Sequence, residues 1–300
     1  MNWHLVIRAS LVAMTLSGTL ALAQSDEQGA VEDPNRAIAQ AAFAAIEPGP
    51  TSIAIEEQAS IALPEGYGFM PREHAVKLMK MMGNQTGPTF IGLIYPLDDD
   101  SQWFVTVDFE SSGYIKDEDA KDWDADGLLE NLKDGTKAGN EYRKEIGVDP
   151  IQVTRWVESP TYDAALRHLI WSAEIRLENG EDPDPGVNYN TYVLGREGYV
   201  SMCLVTSLSS VESEKPDAKR LLSAVSFNQG KRYEDFNAST DKVAEYGLAA
   251  LVGGVVAKKL GLLGLVAAFF VKFGKLLLVG LAVAGASVAK IFKRKASPEN

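Results

Sequence analysis

The densest group of residues able to do chemistry is the run Asp117-Glu118-Asp119-Ala120-Lys121-Asp122-Trp123-Asp124-Ala125-Asp126-Gly127. Asp122, Asp124 and Asp126 put oxygens at alternate positions, and Gly127 supplies a turn, as at the start of a calcium loop. Glu130 falls at the ninth place of such a loop, which often ligates through water. The place of the bidentate glutamate is taken by Lys133. The same aspartates also suit a purely structural role, capping and charging the start of a helix from Ala125, where negative groups meet the positive end of the helix dipole. Calcium is the one cofactor this pattern suggests. Trp123, set among the aspartates, is a candidate contact residue.

Other reactive side chains are few. His74 sits early in an expected helix and His168 in an expected strand, neither with a Cys, Ser or carboxylate at a useful spacing. Cys203 lies between apolar neighbours and reads as a buried thiol. A single cysteine excludes an internal disulfide framework and a multi-cysteine zinc site. The motifs G-x-S-x-G, P-loop and H-E-x-x-H do not occur. Ser287-Val288-Ala289-Lys290 has the S-x-x-K form but falls in an apolar run that reads as a membrane span.

The elements that must position these residues follow from hydrophobic period. The chain has 300 residues, 46% of them hydrophobic and 23% charged, which suits a globular protein. Helices are expected over 34–46, 73–82, 125–146 and 217–225. Strands are expected over 51–55, 59–63, 89–95, 103–109, 152–157, 166–177, 189–194 and 199–208, with Gly195-Arg196-Glu197-Gly198 as a hairpin loop between the last two. Trp103 and Trp171 fall in apolar strands and are expected in the core. Hairpin succession with few intervening helices points to an α+β fold, a mainly antiparallel sheet with helices on one side, followed by a C-terminal apolar helical anchor.

The two ends read as addresses. Residues 1–23 have a positive start at Arg8, an apolar stretch and Ala21-Leu22-Ala23, the small-x-small pattern of a cleaved secretory signal. Residues 24–49 are polar and then briefly helical. Residues 50–242 form the acidic α+β domain. Residues 273–292 have the length of a membrane span, about 20 residues, with Lys275 and Lys290 near its ends to snorkel. Lys293-Arg294-Lys295 in the tail 293–300 favours the cytoplasmic side. The stretch 243–272 is apolar too, but Lys258 and Lys259 at mid-bilayer cost roughly 5–7 kcal/mol, so it is expected to lie on the membrane or against partner helices. Wound at about 100° per residue, Lys258, Lys272, Lys290 and Arg294 share one stripe with Lys275 and Lys293 beside it. They are the expected membrane-interface residues. Gly280 with Ala284, Gly285 with Ala289 and Ala282 with Ala286 allow close helix approach.

Charge is divided along the chain. The total is −12, yet the residues from Val243 on carry eight basic side chains against Glu245 and Glu299, so residues 24–242 are more acidic than the whole. A region that acidic does not suit nucleic acid, whose binding needs basic phosphate contacts. The reading is a single-pass membrane protein with its main domain outside the cytoplasm. Its partners are the membrane and either another envelope protein or a second copy. Its role is non-enzymatic binding, as an accessory or scaffold. Alternatives are a calcium-assisted hydrolase and an oligomeric pore or membrane-remodelling element.

Four stretches carry a resemblance: Gly113-Tyr114-Ile115-Lys116-Asp117-Glu118-Asp119-Ala120, Leu194-Gly195-Arg196-Glu197-Gly198, Gly230-Lys231-Arg232-Tyr233-Glu234-Asp235-Phe236 and the run from Asp241 to Gly254. Together they are similar to a bacterial family of membrane-anchored proteins known as a domain of unknown function, over roughly residues 50–295. The resemblance implies an anchored envelope protein and assigns no activity or site residue. The last expected helix with Phe227 and Tyr233 also resembles small α+β sandwich domains of the photosystem-accessory kind.

Overall fold

A computed structural model describes residues 34–253, apart from 83, 99, 100, 146, 179 and 181. The expected signal, span and tail, and with them Lys258, Lys272, Lys275, Lys290, Lys293 and Arg294, lie outside the described residues. In chain order the elements are α1 (Pro34–Ala44), β1 (Glu47–Pro48), β2 (Thr51–Ile55), β3 (Ala59–Leu63), β4 (Tyr67–Pro71), α2 (Arg72–Met81), β5 (Phe90–Pro96), β6 (Phe104–Glu110), α3 (Ala125–Glu145), β7 (Ile151–Asp163), β8 (His168–Leu177), β9 (Gly186–Leu194), β10 (Tyr199–Ser207), α4 (Val211–Ser223), β11 (Val225–Phe227) and α5 (Ala250–Gly253). Among the described residues no helix is long and apolar enough to cross a membrane.

Eight strands form one antiparallel sheet in the order β1-β4-β5-β6-β10-β9-β8-β7, and β11-β3-β2 form a second, smaller sheet. The α+β class and the large antiparallel sheet follow the sequence pattern. The helices do not keep to one side. On β10, Val200, Met202 and Leu204 pack with Val211, Ala218, Leu221 and Leu222 of α4 and with Ile53, Ile61 and Leu63 of the small sheet. The alternate residues Cys203 and Val205 pack with Ala75, Leu78 and Met79 of α2. Tyr199, on that same second face, joins a third cluster with Leu128 and Leu132 of α3 and Trp171 of β8. Side chains alternate across a strand, so α4 and the small sheet cover one face while α1, α2 and α3 cover the other. β9 and β10 are accordingly buried along nearly their whole length, with Asn188, Asn190, Thr191 and Ser201 among the buried side chains.

Local chemistry sets the element ends. Asp126 lies in the first turn of α3 and Arg143 with Lys144 in its last turn, each matching the helix dipole. The helix then closes on Gly147 at φ 73°, with Gly147 N–H donating to Lys144 O and Val148 N–H to Arg143 O, a Schellman closure that glycine allows.

Candidate functional site

The four stretches that carry the family resemblance meet in space, around the last described segment of the chain. Gly113 follows β6 at φ 97°, where a side chain is strained and a Cβ would stand 2.6 Å from Lys242 O. Its neighbour Tyr114 pairs with Val243: Tyr114 N–H donates to Lys242 O and Ala244 N–H to Tyr114 O, each at 2.8 Å. The Tyr114 ring stacks on Phe236 at 3.8 Å and on Tyr233 at 4.4 Å. The Tyr233 hydroxyl donates to Ile115 O at 2.8 Å, and the Arg167 guanidinium lies over the Tyr233 ring at 4.5 Å. Burial pushes the Tyr233 hydroxyl well above its ordinary titration range.

Asp117 and Asp119 complete this side. Asp117 Oδ2 accepts from the Tyr162 hydroxyl and from Arg167 Nη1, both at 2.7 Å. Asp119 accepts from the backbone N–H groups of Leu248 at 3.1 Å and Ala249 at 3.0 Å, just ahead of α5. A helix start leaves such donors unsatisfied, so Asp119 caps α5 from a stretch far away in sequence. Gly247 makes room, since a Cβ there would stand 2.4 Å from Asp119 Oδ2. Leu248, Leu251 and Val252 are 0%, 3% and 0% exposed and belong to the core under α3. The domain edge expected at 242/243 therefore falls inside the folded unit.

A second set of ties holds the same segment from the β9–β10 hairpin. Arg196 grips Asp241 with a two-pronged contact, Nε to Oδ2 at 2.6 Å and Nη2 to Oδ1 at 2.7 Å, and its Nη1 donates to Gly230 O. This fork, helped by the Asn237 N–H, holds the Asp241 carboxyl far below the usual carboxylate range. Glu197 accepts from Lys231 Nζ and Gln58 Nε2, each at 2.8 Å, and both hold its carboxyl below the ordinary value. The Glu197 carbonyl accepts from Gly113 N–H, which joins the hairpin to the first stretch.

The calcium-loop residues divide. Asp122 and Asp124 line a cleft of about 320 Å³ with Asp119, Trp123, Gly127, Leu128, Asn131 and Ala249. Glu130 pairs instead with Lys133 at 2.8 Å on the exposed side of α3. Asp126 is exposed in the first helical turn. Among the described residues no three His, Cys, Asp or Glu side chains are grouped so as to hold a metal ion. Trp123 is half-buried against the core under α3, with its edge on the cleft.

Trp103, Trp171 and Cys203 are core residues, and burial raises the Cys203 thiol far above its ordinary range. His168 is half-buried in β8, which lowers its pKa. His74 lies in α2. Spacing offered no signal for the roles of Asp117, Asp119, Arg167, Arg196 or Asp241, whose partners lie about 30 to 130 residues away.

Residues 47–282 match the family described as "Protein of unknown function (DUF2167)". The chain belongs to that family. No curated protein matches the sequence. Among solved structures, the solution structure of cyanobacterial PsbP (CyanoP) from Synechocystis sp. PCC 6803 is similar at 11% identity and a TM-score of 0.35, over 59% of this chain and 90% of that one.

Proposed function

We propose that this member of the DUF2167 family is a non-enzymatic binding or accessory protein of the bacterial cell envelope, its acidic α+β domain displayed in the periplasm and its apolar C-terminal run held in the inner membrane. One observation carries the reading. The stretch 113–120, the β9–β10 hairpin and the core under α3 all hold residues 241–253, the segment from which the long apolar run continues. A simple tether needs no such grip, because a flexible linker holds a domain at a surface equally well. A root built into the core suits a domain whose placement relative to its membrane segment matters, as in a subunit docked on another envelope protein or on its own copy.

Crosslinked affinity purification of the full-length protein from native membranes tests this. The comparison is a chain in which residues 254–300 are replaced by an unrelated span, leaving the gripped root intact. A stoichiometric partner, or a self-crosslink, that is lost on replacement is the expected result. Associations that survive the replacement unchanged overturn the reading.

A further inference from the structure

Between α2 and β5 the chain crosses the second face of the large sheet as a strap, residues 84–90. Arg72, the first residue of α2, donates from Nη1 to Pro88 O at 3.1 Å, from Nη2 to Gly87 O at 3.3 Å, and to Phe90 O. Gln85 donates to the Tyr142 hydroxyl of α3, so the strap spans from one helix to the other. Below it lies Asp108 on β6, 4% exposed, whose carboxyl accepts from the Thr89 hydroxyl. Thr89 O in turn accepts from Phe109 N–H at 2.9 Å. Directly opposite Asp108, between Phe90 and Gly92, the β5–β6 ladder slips register. A bulge of this kind leaves a ladder locally disrupted. Asn84, at the head of the strap, is 7% exposed; its backbone N–H donates to Met79 O, while its side-chain Nδ2 has no hydrogen-bond partner.

We propose that residues 84–90 are a pH-responsive strap, held on the sheet while Asp108 carries its proton and loosened when Asp108 ionises.

The groups facing Asp108 set the sign. Burial, reinforced by the like charge of Glu110 on the same strand, pushes its carboxyl from 3.8 up to about 7. Arg72 from α2 and the Thr89 hydroxyl pull the other way and do not cancel the rise. Ser201 and Cys203 of β10 and Tyr192 of β9 complete the surroundings, the last two feeling the Asp108 charge. Opening the strap hydrates Asp108 and returns it toward 3.8. The closed form therefore holds the proton more tightly, and rising pH favours the open form. By linkage the opening constant climbs up to about tenfold per pH unit between roughly 4 and 7, then levels off.

Hydrogen exchange of the full-length protein, read by mass spectrometry on peptides covering 84–90 and corrected for intrinsic exchange, tests this from pH 5 to 9. Protection in the wild type is expected to fall with pH and to reach a plateau near pH 7. In Asp108→Asn the strap is expected to stay protected at all pH values. In Glu110→Gln, which keeps the titrating group, the plateau is expected to begin at lower pH. A wild-type profile without pH dependence overturns the proposal, as does an Asp108→Asn profile that keeps the wild-type slope. If Asp108→Asn does not fold, Glu110→Gln decides: a plateau that fails to move overturns the proposal.

Discussion

At the scale of single residues, Asp119 shows how a side chain can be visible in the sequence while its job is not. It stands in an acidic run that reads as a calcium loop or as charge at the start of α3. Its carboxylate instead caps α5, about 130 residues away. Loss of a capping carboxylate costs about 1 kcal/mol, so Asp119→Ala is expected to lower stability by that amount in denaturant titration. Gly247→Ala is expected to act in the same direction, since its Cβ intrudes on the same oxygen. A double variant no worse than the poorer single one is expected, because both changes break one contact. Calcium is the complementary test. Asp122 and Asp124 line the cleft, while Glu130 pairs with Lys133. With those oxygens ungrouped, millimolar calcium is expected to give no heat in calorimetric titration and no thermal shift. A saturable signal lost in Asp122→Asn would establish the calcium loop.

At the scale of elements, legibility tracked how cleanly one face was buried. β2 and β3 alternate and lie where the period puts them, at Thr51–Ile55 and Ala59–Leu63. No strand is expected at β4, Tyr67–Pro71, because it is buried on both faces, so no alternation marks it, and it carries Gly and Pro, which are depleted in strands. The start of α4 was placed at Asp217, just after Pro216, yet the helix begins at Val211. A proline removes one helical hydrogen bond, and the helix passes through it with Val211, Ala218, Leu221 and Leu222 all buried along one side, whose joint burial exceeds that loss. α3 is legible in extent although it contains Gly127, Gly135 and Gly139. At Gly127 a Cβ would stand 2.5 Å from Oδ2 of the exposed Asp124 side chain, which would have to turn aside. Gly135 and Gly139 have open space where a Cβ would go. Gly135→Ala and Gly139→Ala are each expected to stabilise the protein by about 0.5–1 kcal/mol, the intrinsic helix preference, seen as a higher denaturation midpoint. Destabilisation by either change would mean that this face of α3 makes a close contact with something outside the domain.

At the scale of the whole molecule, the sequence carried the fold class and the antiparallel sheet, because hairpin order is written locally in strand and turn residues. The distribution of helices over the two faces was not legible. It depends on which of two buried faces each helix meets, and strands buried on both faces lose the alternation that would tell. That the folded unit reaches past residue 242 is hidden for a related reason. Residues 243–253 continue smoothly into the apolar run, so composition alone assigns Leu248, Leu251 and Val252 to the membrane rather than to a core. Their burial under α3 gives the last prediction. A chain ending after Gly253 keeps the Asp119 cap, the Asp241 fork and all three core side chains, and is expected to fold with a single cooperative transition. A chain ending after Lys242 loses those side chains. At about 1.5–3 kcal/mol for each full burial, reduced because the unfolded chain already buries part of that surface, the loss comes to roughly 3–6 kcal/mol. Domains of this kind hold only about 5–15 kcal/mol in total. The shorter chain should therefore unfold at much lower denaturant, and protease should cut it within 230–242, because Tyr114, on which Tyr233 and Phe236 stack, loses its pairing with Val243. Equal stability of the two chains would show that residues 243–253 rest on the domain without being part of its core, and the proposed role of the root would fall with it.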